Sequence, residues 1–549
     1  MVERFPGMVL TEERIREYQK AGYWTEETFA EKMERNAREY PDFVHRDEWR
    51  TLTYRELWEE AGAVAAKLLE LGVRKGDRVA LQLPTSLDYV VALYGAVRIG
   101  AVGVQLQVDL SRDAVAQSIE KAGARVLVVT ENYRGEPTAE NARAIRDASP
   151  TLEHVIVQGG EDYPKDVLSF EEVRSSGERP PEDVERANRP EALDPFVMVF
   201  TSGTTGSPKE TLHLHANYIY GDRSYEKLYG HKAGEATLCL APISHQTGML
   251  VGVNLPVYTG GRMLLMEHFA ASRVMRWMEE EKPTYLVGAP PHVIHVANAP
   301  RLKEIDTTNA RLFIYAGGPV PSPILRRLQE DSGITVSCMF GWTEGLGMSI
   351  TLPDDPIEAI SKTVGRPLPG MEVRLVDDDG NEVPVGEPGE MLCRGPSFCA
   401  GYYNNPKAAA ERWDSEGWFH SGDLLRKDEE GRYTFMGRAD DIINRGGTKI
   451  DPKQIEDVLG EHEAIDQAVV VGAPDPTLGQ RTVACVILNE GAEEFSLEEL
   501  HEFLRERGLA RFQLPDGLVF MEEFPMTHSG KTKRKDLRQM PLVAEAGSR

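Results

Sequence analysis

The chain has 549 residues, 41% of them hydrophobic, so it is too long for one ordinary domain and rich enough for a large core. It carries 62 Lys+Arg against 88 Asp+Glu, a formal net charge of −26. Phosphate affinity comes from clustered cations, so this balance excludes a protein that coats nucleic acid or anionic lipid. Cys239, Cys338, Cys393, Cys399 and Cys485 form no CxxC pair, which argues against a disulfide framework and for a reducing cytoplasm.

The N-terminal segment lacks an apolar run and reads as no signal peptide. Thr53, with Glu56 three residues on, is a capping box that opens a helix reaching Gly72. DRVALQLP is a strand, DYVVALYGAVRIGA a helix, VGVQLQV a strand, SRDAVAQSIEKAGA a helix and RVLVVT a strand. The longest apolar stretch, Tyr89 to Val108, contains Arg98, Gly95 and Gly100. It fits a buried helix running into a strand and predicts no stable membrane insertion. Strands alternating with helices of this length imply parallel pairing and an α/β fold.

Residues 135–190 are polar and read as surface excursions. Strand-like runs resume at PFVMVF, ATLCLAP, RMLLME, YLVGAP and RLFIYAGG. From about Met371 short strands with Gly, Pro and Asp turns announce a small β-rich unit. The last segment holds a Pro-started helix in IDPKQIEDVLGEH and a Ser496-capped helix in SLEELHEFLRERG. The predicted architecture is a large N-terminal domain of α/β sub-domains plus the β-rich unit, residues 1–437, followed by a smaller mobile α/β domain, 438–549.

Phe200-Thr-Ser-Gly-Thr-Thr-Gly-Ser-Pro-Lys209 follows an apolar strand. Glycines that leave N–H groups outward, several hydroxyls and one Lys are what a loop needs to grip phosphate oxygens. It is not a Walker A loop, because Pro208 stands where Gly would be needed. Ser529-Gly-Lys-Thr532 fails the same pattern, with Pro525 five residues before Gly530.

Four further segments join this loop: Phe340-Gly-Trp-Thr-Glu344, Trp418-Phe-His-Ser-Gly-Asp423, Gly437-Arg-Ala-Asp-Asp-Ile-Ile-Asn-Arg-Gly-Gly447 and Pro525-Met-Thr-His-Ser-Gly-Lys531. In this order the five resemble the motifs of the adenylate-forming superfamily of acyl-CoA synthetases, firefly luciferases and peptide-synthetase adenylation domains. The resemblance implies a reaction of a carboxylate with ATP and Mg²⁺ to give an acyl-adenylate and pyrophosphate, then transfer to the thiol of coenzyme A. It implies that Thr201, Ser202, Gly203, Thr204, Thr205, Gly206 and Lys209 hold the β- and γ-phosphates, and that Glu344 holds Mg²⁺, a hard cation that wants carboxylate oxygen. Thr343 would touch the α-phosphate. Phe340 and Gly341, with Gly317 and Gly318, would line adenine. Asp423 and Arg438 would meet the ribose. Lys531 would reach the carboxylate and α-phosphate as charge shifts. Asp440 would be the hinge of the C-terminal domain, and Gly446 and Gly447 would line the pantetheine channel.

Two positions depart from the family pattern. Glu210 stands where Gly usually follows the loop Lys, and Pro319 where Ala follows the Gly pair. If residue 210 needs φ > 0, Glu is disfavoured there; otherwise the loop differs slightly or Glu210 points to solvent. The resemblance places the acyl pocket at His245, Gln246, Met249, Ala316, Trp342, Leu346 and Met348. These offer no Asp or Arg for an amino-acid substrate, which points to an alicyclic, aryl or short-to-medium-chain acid. His245 reads equally well as a core histidine. His213 and His215 lie on a strand-like run without a third ligand and read as structural. A stand-alone aryl acid adenylating enzyme that loads a separate carrier protein is the alternative. The expected partners are a small carboxylic acid, ATP and CoA, with no nucleic acid, and the expected assembly is a monomer or homodimer.

Overall fold

The computed structural model describes residues 5–160, 167–201, 208–377, 379–438, 441–446, 448–526 and 532–546. The described chain falls into two compact units. One comprises 1–201, 208–372 and 394–419; the other comprises 373–393 and 420–549. The point 437/438 falls inside the strand Tyr433–Arg438, and the small β-rich sheet groups with the C-terminal residues.

In the first unit the alternating strands and helices close a seven-stranded sheet. Its order is Leu168–Ser169, His154–Gln158, Val126–Thr130, Arg78–Gln82, Val102–Gln105, Pro195–Phe200 and Glu210–Leu214. All neighbours are parallel except the last pair, which is antiparallel. The expected surface excursion thus contains a sheet strand. Val155, Ile156 and Val157 are buried beside Val126–Thr130, and three apolar residues between polar flanks were too short a run to stand out.

The second sheet of this unit has nine strands. Leu312–Ala316, Tyr285–Gly288, Ala236–Cys239 and Arg262–Leu265 run parallel in its middle. An antiparallel hairpin, Thr335–Trp342 with Leu346–Ile350, lies towards one edge. Thr53 caps the helix Tyr54–Glu70 with the reciprocal Glu56 bond. The apolar run from Tyr89 forms the wholly buried helix Leu87–Arg98 and the strand Val102–Gln105. Arg98 is tolerated there because Glu185 binds its guanidinium at 2.5 and 3.0 Å and Trp58 lies 4.0 Å beneath it. No described helix is long and apolar enough to cross a membrane.

The second unit holds a four-stranded sheet, Glu372–Val376, Pro388–Arg394, Phe419–Lys427 and Tyr433–Arg438, and a five-stranded sheet built on Ile465–Asp475 and Gly479–Leu488. Asp451 caps the helix Pro452–Leu459, and Ser496 with Glu499 forms the capping box of Leu497–Glu506. Their apolar faces bury Ile455, Leu459, Leu500 and Leu504 against one face of the five-stranded sheet.

Candidate active site

The phosphate-loop segment connects two paired strands. Phe200 faces Glu210 across the ladder, and the Thr201 amide donates to the Lys209 carbonyl at 3.0 Å. Ser202, Gly203, Thr204, Thr205, Gly206 and Ser207 lie outside the described residues. Glu210 is neither in the left-handed region nor aimed at solvent. It is an ordinary strand residue, 3% exposed, with its carboxylate 2.9 Å from Lys121 Nζ. Lys121 also donates to the Pro208 carbonyl at 2.6 Å. One ammonium therefore offsets the buried charge and ties down the loop's outgoing foot.

The hairpin carries the acidic centre. Leu346 takes φ +53°, a cost for a side chain that bears a Cβ, and the turn sets Glu344 at its apex. A Cβ on Gly341 would stand 1.6 Å from the Leu346 carbonyl oxygen, so this hairpin requires Gly there. Glu344 is 8% exposed, and Tyr402 donates to its Oε1 at 2.5 Å. The Lys209 ammonium lies 5.4 Å from the Tyr402 ring centroid. Burial draws the Lys209 pKa down and Arg412 adds to this, while Glu344 acts the other way. Among the described residues Glu344 Oε2 has no hydrogen-bond donor, and a carboxylate oxygen so placed fits a hard cation. Sequence reasoning missed Tyr402, because the pair Tyr402-Tyr403 lies in none of the five motifs.

A buried network holds Thr343. The Leu214 amide donates to Asn217 Oδ1 at 2.7 Å, which fixes the Asn217 amide. Asn217 Nδ2 then donates to His213 Nδ1 at 3.0 Å and to the Ser397 carbonyl at 3.0 Å. With Nδ1 accepting, His213 Nε2–H donates to the Thr343 carbonyl at 2.8 Å. Gln246 Nε2 reaches the same carbonyl at 3.4 Å, and Tyr218 donates to Gln246 Oε1. Burial lowers His213 to about 3, so the ring is neutral. His215 is not on the strand; it opens the helix His215–Tyr229 and accepts from the Phe29 amide at 3.2 Å. Among the described residues no group of His, Cys, Asp and Glu could hold a metal ion by itself.

The residues expected to line the acyl pocket come from segments that meet here. Tyr218 links the helix His215–Tyr229 to Gln246, and Tyr225 donates to the Gly347 carbonyl at 3.2 Å, between Leu346 and Met348. Met249 is the second residue of a seven-residue π-helical run, Gly248–Asn254, a geometry that often marks functional sites. Met249 and Met348 are fully buried, and Leu346 nearly so. His245, Ala316 and Trp342 are partly exposed, so His245 is no core histidine. The Trp342 ring lies 5.1 Å from Phe340 and 5.7 Å from Phe419. Gly317 takes φ +105° at the end of its strand. Gly318 follows it, and the exposed Pro319 accommodates the turn.

In the second unit Asp423, 3% exposed, accepts from Arg438 Nε at 2.9 Å. Gly446 takes φ +59° and its amide donates to the Leu478 carbonyl at 2.8 Å. Asp440, Gly447 and Lys531 lie outside the described residues. Residues next to them in the sequence are held by ion pairs. Asp441 pairs with Arg538 at 2.8 Å and with Arg534 at 3.7 Å, while Arg534 also binds Glu456 at 2.7 Å. Met526 and Thr532 form an antiparallel bridge on either side of the Lys531 segment.

Residues 33–403 match the family model of the AMP-binding enzymes, and 454–531 that of the AMP-binding enzyme C-terminal domain. The 2,3-dihydroxybenzoate-AMP ligase of Bacillus subtilis is 31% identical over 95% of this chain and 95% of its own length. The medium-chain fatty-acid–CoA ligase of Escherichia coli is 29% identical over 97% of this chain and 94% of its own. The solved anthranilate CoA ligase AuaEII, in complex with anthranoyl-AMP, superposes with a TM-score of 0.80 at 26% identity, covering 93% of this chain and 97% of its own. With its large unit and its C-terminal segment both matched, the chain belongs to the AMP-binding enzyme family and is an adenylate-forming, AMP-forming ligase.

Proposed function

We propose that the protein is an ATP-dependent acid–CoA ligase for an alicyclic, aryl or short-to-medium-chain acid, acting in the cytoplasm. The observation that carries this is the cluster of Glu344, Tyr402 and Lys209, which sets one carboxylate and one cation beside the paired strands that flank the phosphate-loop segment. In this reading Glu344 holds Mg²⁺, whose charge offsets that of the phosphates. Thr343, Thr204 and the rest of the loop orient donors towards them. Asp423 and Arg438 receive the ribose, Phe340 and Gly317–Gly318 the base. Lys531, carried by the segment 438–549 that pivots at Asp440, reaches the reacting carboxylate and then leaves. Gly446 and Gly447 then admit pantetheine.

The acyl chain enters among His245, Gln246, Met249, Ala316, Trp342, Leu346 and Met348. All five cysteines are buried and none forms a disulfide among the described residues, which suits a reducing compartment. The assembly is a monomer or a homodimer. Similarity to an aryl acid–AMP ligase over 95% of the chain favours a second reading, in which a separate carrier protein takes the acyl group.

Pyrophosphate release with ATP and Mg²⁺ tests both, using benzoate, hydroxy- and aminobenzoates, cyclohexanecarboxylate and straight chains, each with and without CoA. CoA-dependent turnover on one group of acids supports the ligase. Adenylation that free CoA never discharges favours carrier loading. No release on any acid removes the proposal.

A further inference from the structure

The helix His215–Tyr229 places Tyr218, Asp222 and Tyr225 on one face, at i, i+4 and i+7. The first is bonded to the pocket residue Gln246 and the last reaches the Gly347 carbonyl between Leu346 and Met348. Asp222 therefore lies between two contacts with the acyl site. It is 0% exposed, and neither carboxyl oxygen has a hydrogen-bond partner among the described residues.

Two more polar atoms nearby are also without partners. Asn254 ends the π-helical run that contains Met249; Tyr94 donates to its Oδ1 at 3.4 Å, and its Nδ2 has no acceptor among the described residues. Tyr89, on the same helix as Tyr94, has an unpartnered hydroxyl. Buried polar atoms nearly always find partners, and leaving one unmatched costs stability, so several together point to a ligand group. Asp222 is within electrostatic reach of Tyr94, Tyr218 and Tyr225, and Tyr89 of Tyr218. Burial pushes the Asp222 carboxyl far above its ordinary value, so it is a neutral acid able both to donate and to accept.

We infer that Asp222 and Asn254 form the specificity end of the acyl site and select a carboxylic acid whose tail carries a hydroxyl group. A hydroxyl gives its proton to Asp222 and takes one from Asn254 Nδ2, satisfying orphans that a plain hydrocarbon tail would leave unpaired. The inference rests on the ligase reading and narrows its substrate class. It also supplies a carboxyl group, which the sequence-derived pocket lacked.

The test is kcat/KM for pyrophosphate release on matched acids, each with and without one hydroxyl: benzoate against the monohydroxybenzoates, cyclohexanecarboxylate against its hydroxy derivatives, and straight chains against their ω-hydroxy counterparts. The wild type should prefer the hydroxylated member of at least one pair by about tenfold or more, since a site built to bond a hydroxyl rejects the analogue lacking it. Asp222→Leu should erase that preference, lowering kcat/KM on the hydroxylated acid by about tenfold relative to its unhydroxylated partner. Asp222→Leu should also hold or raise Tm, because the carboxyl has no partner to lose.

A wild type without preference in any pair, or a preference that survives Asp222→Leu, overturns the inference. So does a fall in Tm, which would show a structural carboxyl. If Asp222→Leu does not fold, the same ratios are read on Asp222→Asn and Asn254→Leu, either of which should shrink the preference; an unchanged ratio overturns the inference. Adenylation of no acid at all defeats the ligase reading itself, a result distinct from turnover without hydroxyl preference.

Discussion

The two units hold their functional residues by different forces. In the large unit, Thr343 and Glu344 are fixed by buried, mostly neutral hydrogen bonds from His213, Gln246 and Tyr402. In the C-terminal unit, the residues beside Asp440 and Lys531 are joined by partly exposed ion pairs among Asp441, Arg534, Arg538 and Glu456. A dry network is costly to open and holds one geometry, whereas part-exposed pairs exchange with water cheaply. Groups proposed to stay in place sit on the first kind of support, and the Lys proposed to move sits on a segment with the second. The largest expected effect breaks this contrast directly. Lys531→Ala should lower adenylation about a thousandfold, as losing a donor to transition-state charge does, yet leave thioester formation from supplied acyl-adenylate nearly unchanged. Half-reaction assays check it, and equal loss of both would show that Lys531 never leaves.

The next effect belongs to the stationary side. Tyr402→Phe keeps the ring beside Lys209 but removes the hydroxyl on Glu344 Oε1. Partners that orient a metal ligand typically contribute 10- to 100-fold, so the Mg²⁺ concentration for half-maximal adenylation should rise by about that factor. Saturation curves in Mg²⁺ at fixed ATP read it; an unchanged curve with lower kcat would place Tyr402 outside metal binding.

How far the sequence foretold these supports follows from what local patterns encode. The parallel sheet and the capping boxes at Thr53 and Ser496 are short-range and periodic, and were readable, whereas the hairpin that carries Glu344 showed only as a motif and not as strands. The strand His154–Gln158 was not readable, because its apolar run is only three residues long. Lys121 on Glu210, Tyr402 on Glu344 and His213 on Thr343 join residues 58 to 130 positions apart, and no spacing rule announces such pairs. Glu210 is the instructive case. It looked like a defect in a glycine position, and it is satisfied by a lysine on the helix Arg112–Ala122. Glu210→Gly should leave the fold intact, whereas Lys121→Met should cost about 3–5 kcal/mol by stranding a buried carboxylate. Urea unfolding of the two variants separates them.

The smallest effect on activity, and the sharpest on the contrast, is at His213. With Nδ1 accepting and Nε2 donating it is no general base, so His213→Gln should lower kcat by only about tenfold or less and leave the pH–rate profile from pH 6 to 9 unshifted. Its mark is on stability. The folded state holds the ring at about 3 against 6.5 unfolded, so the unfolded chain binds the proton first. The contribution is present above pH 6.5 and is lost as pH falls towards 3. From pH 6.5 to 5.0 the wild type should lose about 1.5 kcal/mol more than His213→Gln. Asp451 in the C-terminal unit runs the other way. Burial raises it from 3.8 to about 6, so its folded form takes up a proton before the unfolded form does and gains stability as pH falls through 6. From pH 7 to 5 the wild type should gain about 1 kcal/mol over Asp451→Asn, which keeps the helix cap. Denaturant unfolding of the three proteins at these pH values measures both signs. If the two variants shift in the same direction, burial is not setting the proton balance in one of the two units, and the contrast between dry and charged supports fails at the level of single residues.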